Sequence, residues 1–284
     1  MEITKIIASA SFISLLFSGC TPPRLEFSAF AQAGSGYAVA VDKLLTASGT
    51  AQVDSTSWTL VSERQSTGMD QKTYDAKNNQ DTLRLTQITK LRQHARLLGQ
   101  YFGLLESLSS SDAPERTKKA IEGVVSNLEK ITNDFGPLAK GLSVIGQVAV
   151  DFKIRSELKD ELDKRKDTIR KSLAIQEQLL LELKGDITHA LTLSKNIQEE
   201  TLVSGPLLSE HAAQLKDPEQ WVSKRRTVLN TSIAIDELSA ASVAATKMRE
   251  AFEGLITGEN TIGRVNSLLT DIEALLSIAE SIKS

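Results

Sequence analysis

Three histidines, a lone cysteine and one compact basic cluster are the groups in this chain from which chemistry could most readily be built. His94 and His189 fall in stretches of helical periodicity and His211 in a connection. None has a second ligand at the spacing that holds zinc, so the first two read as helix-surface residues. Lys224-Arg225-Arg226 lies two turns into a predicted helix and reads as a solvated face rather than a phosphate or lipid site. Gly34-Ser35-Gly36 has neither the preceding strand nor the following Lys-Ser/Thr of a phosphate loop, and reads as a place where helices approach closely. No Gly-x-Ser-x-Gly motif offers an activated serine. Acidic residues are plentiful, but they alternate with Lys and Arg as helical partners, and a catalytic carboxylate pair meets only in three dimensions. The expectation is a protein without catalytic residues, metal or cofactor.

The elements that would carry these residues are helices. Proline occurs six times in 284 residues and aromatic residues make up 5%, while Leu, Ile, Ala, Lys and Glu abound; this favours helix over strand. From Leu25 to about Arg64 the apolar residues Phe27, Phe30, Tyr37, Val41, Leu44 and Leu45 recur at mostly helical spacing. The polar stretch Ser66 to Gln80, with Gly68, Asn78 and Asn79, is expected to be a loop. A second helix follows to Leu108, with Leu83, Leu85, Ile88, Leu91, Leu98, Phe102 and Leu105 as its stripe. Asp112, Pro114 and Glu115 open a third with a cap, a first-turn proline and a capping box. Ile121, Val124, Val125, Leu128 and Ile131 are its buried stripe.

Leu138 to Phe152 is the most apolar run beyond the N-terminus. It is too short to cross a bilayer as a helix and reads as core, with membrane insertion as the rival. Arg155 to Lys171 is densely charged and reads as the solvated face of a long helix running to about Glu200, with Leu158, Leu162, Ile169, Leu173, Gln176, Leu180, Leu183 and Ile187 near heptad spacing. Thr201 to Lys216, with Gly205-Pro206, is a connection or short helix. Asp217 caps a helix expected to reach Ile256, and a last one from Ile262 closes the chain. The fold class is therefore mainly α, an elongated antiparallel bundle of long amphipathic helices over 25–284, with a sub-boundary near 201–217.

Formal charge is −3, from 33 basic and 36 acidic side chains spread along the chain, so there is no electrostatic case for nucleic acid. The first twenty residues, MEITKIIASASFISLLFSGC, place an apolar run after Lys5 and small residues before Cys20, the order of a secretory signal peptide. With Phe17, Ser18 and Gly19 before the cysteine, this end resembles the lipobox of bacterial lipoproteins. That resemblance implies cleavage of 1–19 as a signal peptide and acylation of Cys20, palmitate included. Thr21, in place of aspartate, implies an outer-membrane address facing the periplasm. Residues 20–24 then form a short Pro-containing tether, and the acylated Cys20 makes membrane lipid one partner. With its only thiol lipidated, the chain has no disulfide. The expected function is a non-catalytic binding or structural component of the envelope with a protein partner. Two rivals stand beside it: a pore-former-like protein using 138–152, and an envelope hydrolase whose site one sequence does not reveal.

Overall fold

In the computed structural model the described residues are 23–106, 113–134, 158–208, 217–241, 243–259 and 261–282. Over these the protein is mainly α, a helical bundle without strands. Its helices are α1 (Pro23–Thr67), α2 (Gln71–Glu106), α3 (Ala113–Asp134), α4 (Leu158–Gln198), α5 (Gly205–Leu208), α6 (Pro218–Ala241), α7 (Val243–Thr257) and α8 (Ile262–Ser281). The apolar run 138–152, the capping residue Asp112 and His211 lie outside the described residues, as do Phe17, Ser18, Gly19 and Cys20.

Helix α1 is the hub, packing on α2, α4, α7 and α8. It can do so because its inner positions are largely small: Ala31, Ala33, Ala38, Ala40, Ala47 and Ala51 are all buried. Where α1, α2 and α7 meet, the Phe30 ring stands edge-on to Phe102 at 5.5 Å and lies beside Phe252 at 5.6 Å. Gly34 makes this possible, since a Cβ there would come within 2.7 Å of the Phe102 ring and 2.9 Å of Met248. The close approach expected at Gly34-Ser35-Gly36 is thus realised.

Contacts along the helices give their directions. Asp42 pairs with Arg92 and Arg96, and Thr56 with Asp81, so α1 and α2 are antiparallel. Arg170 meets Glu253 and Glu177 meets Arg249, so α7 runs down α4 in the opposite sense. Farther along α4, the Trp221 indole N–H of α6 donates to the Val203 carbonyl at 3.1 Å. The single helix expected from 217 to 256 is two segments, α6 ending at Ala241 and α7 beginning at Val243, that follow one another along α4. Helices α7 and α8 are also antiparallel, Lys247 meeting Asp271 and Gly254 lying beside Thr261, while α8 lies beside α1 in the same sense, with Gly36 near Ile272 and Lys43 paired with Glu280 at 3.5 Å.

Two expectations are corrected. The loop expected over Ser66 to Gln80 shrinks to a turn at 68–70, where Gly68 takes φ +80° and the Asp70 carboxylate accepts the Thr73 amide at 2.7 Å. That cap starts α2 ten residues early; residues 71–80 hold no Gly or Pro, and their polarity reflects solvent exposure, not loop structure. Leu83 and Leu85, assigned to the α2 stripe, are exposed at 67% and 40%; the buried stripe starts at Ile88. Helix α1 begins at Pro23, where a first-turn proline forgoes no helical hydrogen bond, so its first two residues fall within the segment 20–24. Helix α4 ends at Gln198, beside the expected Glu200, and the chain continues through a π-helical turn, Glu199–Ser204, into the short helix α5, in keeping with the connection or short helix expected from Thr201. Pro206 supplies the reason: an interior proline removes an amide and clashes with the preceding turn, and a wider turn relieves both. The Gly205 N–H reaches back to the Glu200 carbonyl, where a Cβ would lie only 2.4 Å from that oxygen.

Candidate functional site

Three polar arrangements are candidates, and each is built by helices brought together from distant parts of the chain. The first is a buried layer. His94 of α2, expected on a helix surface, is 1% exposed and faces Gln176 of α4, itself 3% exposed. Both ring nitrogens and both amide atoms have no hydrogen-bond partner among the described residues. The two side chains line a cavity of about 20 Å³ walled by Val41, Leu45, Leu91, Leu179, Leu180 and Leu183. That volume suits a single water, for which the imidazole and amide are the available partners. Burial lowers the His94 pKa from 6.5 to about 4, so the ring is neutral at physiological pH. Beside this layer, burial and then the charge of Glu177 push the Tyr37 hydroxyl far above its ordinary range.

The second is a set of ion pairs that fasten helix to helix. Arg92 and Arg96 share Asp42 between α2 and α1, with Nε–O distances of 2.8 and 3.1 Å. Arg170 forks onto Glu253 at 2.7 Å through both Nε and Nη2. Glu177 accepts from Thr246 at 2.6 Å and Arg249 at 2.7 Å, and Lys247 meets Asp271 at 2.6 Å. Burial raises the Glu177 pKa, but the hydrogen bonds from Arg249 and Thr246 outweigh it and hold the carboxyl below its ordinary value. Arg165, expected on the solvated face of the charged segment, is 3% exposed. Asp167 and Arg170 of that segment pair at 3.4 Å. These groups do packing work, as does the charged hollow at the α7–α8 turn, where Arg264 is held by Glu259 at 2.7 Å.

The third arrangement is a cleft of about 370 Å³ enclosed by α1, α4, α6 and α8. Asp54 and Trp58 come from α1, one turn apart; Ser194 and Gln198 from α4, also one turn apart; Thr227, Asn230 and Thr231 from α6; Ser281 from α8. Ala51, Leu191 and Ile282 supply its apolar wall. Burial alone raises the Asp54 pKa, no cation standing near enough to offset it. Its volume falls in the range of small-molecule sites, about 300–1,000 Å³.

No protein-family model, curated protein or solved structure matches this chain. What the cleft can do therefore rests on its own side chains. His189 is exposed on α4 and does not line it, and the cleft brings no histidine to Asp54. Arg225 and Arg226 are exposed, in keeping with a solvated basic cluster. Among the described residues no group of His, Cys, Asp and Glu gathers as a metal site, and no helix is long and apolar enough to cross a membrane. None of the cleft residues stood out in the sequence. Asp54 and Trp58 share a face of α1 by their spacing, but nothing local indicates that residues more than about 130 positions away complete the wall.

Proposed function

We propose that the protein is a lipid-anchored lipoprotein of the bacterial envelope, held to the membrane through acylated Cys20 and acting through its helical body as a non-catalytic binding or structural component. One observation carries the reading: the only cysteine closes an apolar run behind Phe17, Ser18 and Gly19, and helix α1 begins at Pro23, so the bundle starts within three residues of the anchor. A body tied that closely to a bilayer is displayed at its surface rather than reaching away on a flexible linker. The network of Arg–carboxylate forks between α1, α2, α4 and α7 supports a preorganised surface for an envelope protein partner.

The test is an intact mass of the protein extracted from membranes after expression of the whole chain in a Gram-negative host. The expected product starts at Cys20, carries acyl chains, and takes up an alkyne-tagged palmitate that the Cys20→Ala variant does not. An unmodified product, or one cut at another bond, would overturn the anchor.

A further inference from the structure

We propose that the cleft between α1, α4, α6 and α8 binds a small organic cation, a primary ammonium or guanidinium on a short body, with Asp54 as its counterion and Trp58 beside it. The inference goes beyond envelope anchoring and does not depend on it.

Charge is the first argument. Asp54 is the single ionisable side chain in the lining, and among the described residues no cation pairs with it. Asp42, Glu177, Glu253 and Asp271, by contrast, are each answered by an arginine or lysine from another helix. Partial burial raises the Asp54 pKa, and a bound cation beside the carboxylate would act in the opposite direction. An anionic ligand would meet this carboxylate with no positive group in the lining to offset it.

Hydrogen-bond direction is the second. Thr227 and Thr231 donate their hydroxyl protons to the carbonyls of Ser223 and Thr227, at 3.2 and 3.0 Å. Ser281 donates to the Ile278 carbonyl at 2.9 Å, and the Gln198 amide N–H to Ser194 Oγ at 2.8 Å. The hydroxyls of Thr227 and Thr231 thus meet a ligand as acceptors, which together with the Asp54 carboxylate suits the N–H groups of ammonium and guanidinium, while the Asn230 amide and the Ser194 hydroxyl keep donors of their own. The neighbouring indole adds an aromatic of the kind that recognises organic cations beside a carboxylate. A neutral polyol would also supply donors, but it would leave the charge of Asp54 unanswered, and this separates the two in experiment.

Titration calorimetry on the full-length protein in nonionic detergent is the test, with cadaverine and arginine amide as cationic probes, 1,5-pentanediol as the uncharged match in length, and glutarate as the anion. Saturable binding of at least one cation is expected, weakened about tenfold or more in Asp54→Asn, with no saturable heat from the diol or the dianion. Asp54 is exposed and asparagine nearly matches it in size, so circular dichroism should be unchanged. Cys20→Ala should bind as the parent does, which keeps failure of the anchor distinct from failure of the cleft. Pentanediol binding as tightly as cadaverine would overturn the proposal. So would unaltered affinity in Asp54→Asn, or no saturable binding of either cation up to about 10 mM.

Discussion

At the scale of single residues, His94 is the most consequential side chain for stability. An imidazole that is neutral in the fold and titrates at about 4, against 6.5 when exposed, leaves the unfolded chain binding more protons between those values. Its contribution is therefore whole above about pH 6.5 and is lost as pH falls toward 4. By linkage the folded state should lose about 2 kcal/mol between pH 7 and pH 5 from this group alone. Urea unfolding at the two pH values measures it, and His94→Leu should remove that part of the pH dependence while remaining folded, since leucine suits the apolar wall. An equal loss in parent and variant would mean that other groups set the acid response. The burial of His94 was partly legible: Leu91, Ala95 and Leu98 lie on the same stripe, and position 94 sits between them. What one sequence does not carry is the facing residue, Gln176, which lies 82 positions away on α4.

At the scale of elements, two glycines inside helices should respond in opposite directions to the same change. Alanine raises helix propensity by about 1 kcal/mol at either place. At Gly185, in the exposed middle of α4, a Cβ meets nothing within 4 Å, so Gly185→Ala should stabilise by about 0.5–1 kcal/mol. At Gly34 the new methyl would fall 2.7 Å from two carbons of a fully buried Phe102, and overpacking of about 1–3 kcal/mol should exceed the gain in propensity. Denaturant midpoints of the two variants decide it; stabilisation by both would mean that α1 and α2 separate at no cost. Helix existence was legible for physical reasons, because periodicity and caps such as Asp217, whose carboxylate accepts the Gln220 amide at 2.9 Å, are local. The error lay where polarity was equated with a loop, at 71–80. Which helices become neighbours, and hence the cleft, depends on long-range packing that periodicity does not encode.

For the whole molecule, the proposed anchor raises the question of what would hold the chain at a membrane. Helix α1 alone is 45 residues, about 67 Å at 1.5 Å per residue, and it starts three residues after Cys20. The charge of −3 gives no attraction to an anionic leaflet, and no described helix could cross a bilayer. If the anchor reading holds, the acyl chains alone supply the affinity, at about 0.8 kcal/mol per buried methylene, and surface electrostatics contributes nothing that salt could screen. Fractionated cells should then show the parent protein in membranes after washing with about 1 M salt, where exposed charge pairs are screened, and released only by detergent. Cys20→Ala should move to the soluble fraction, still strongly helical by circular dichroism, because the described core runs from Phe30 to Ala279 and the substitution lies outside it in sequence. A Cys20→Ala protein that stays with the membrane would place the attachment in another segment and make the bundle itself, rather than its lipid, the membrane-binding part.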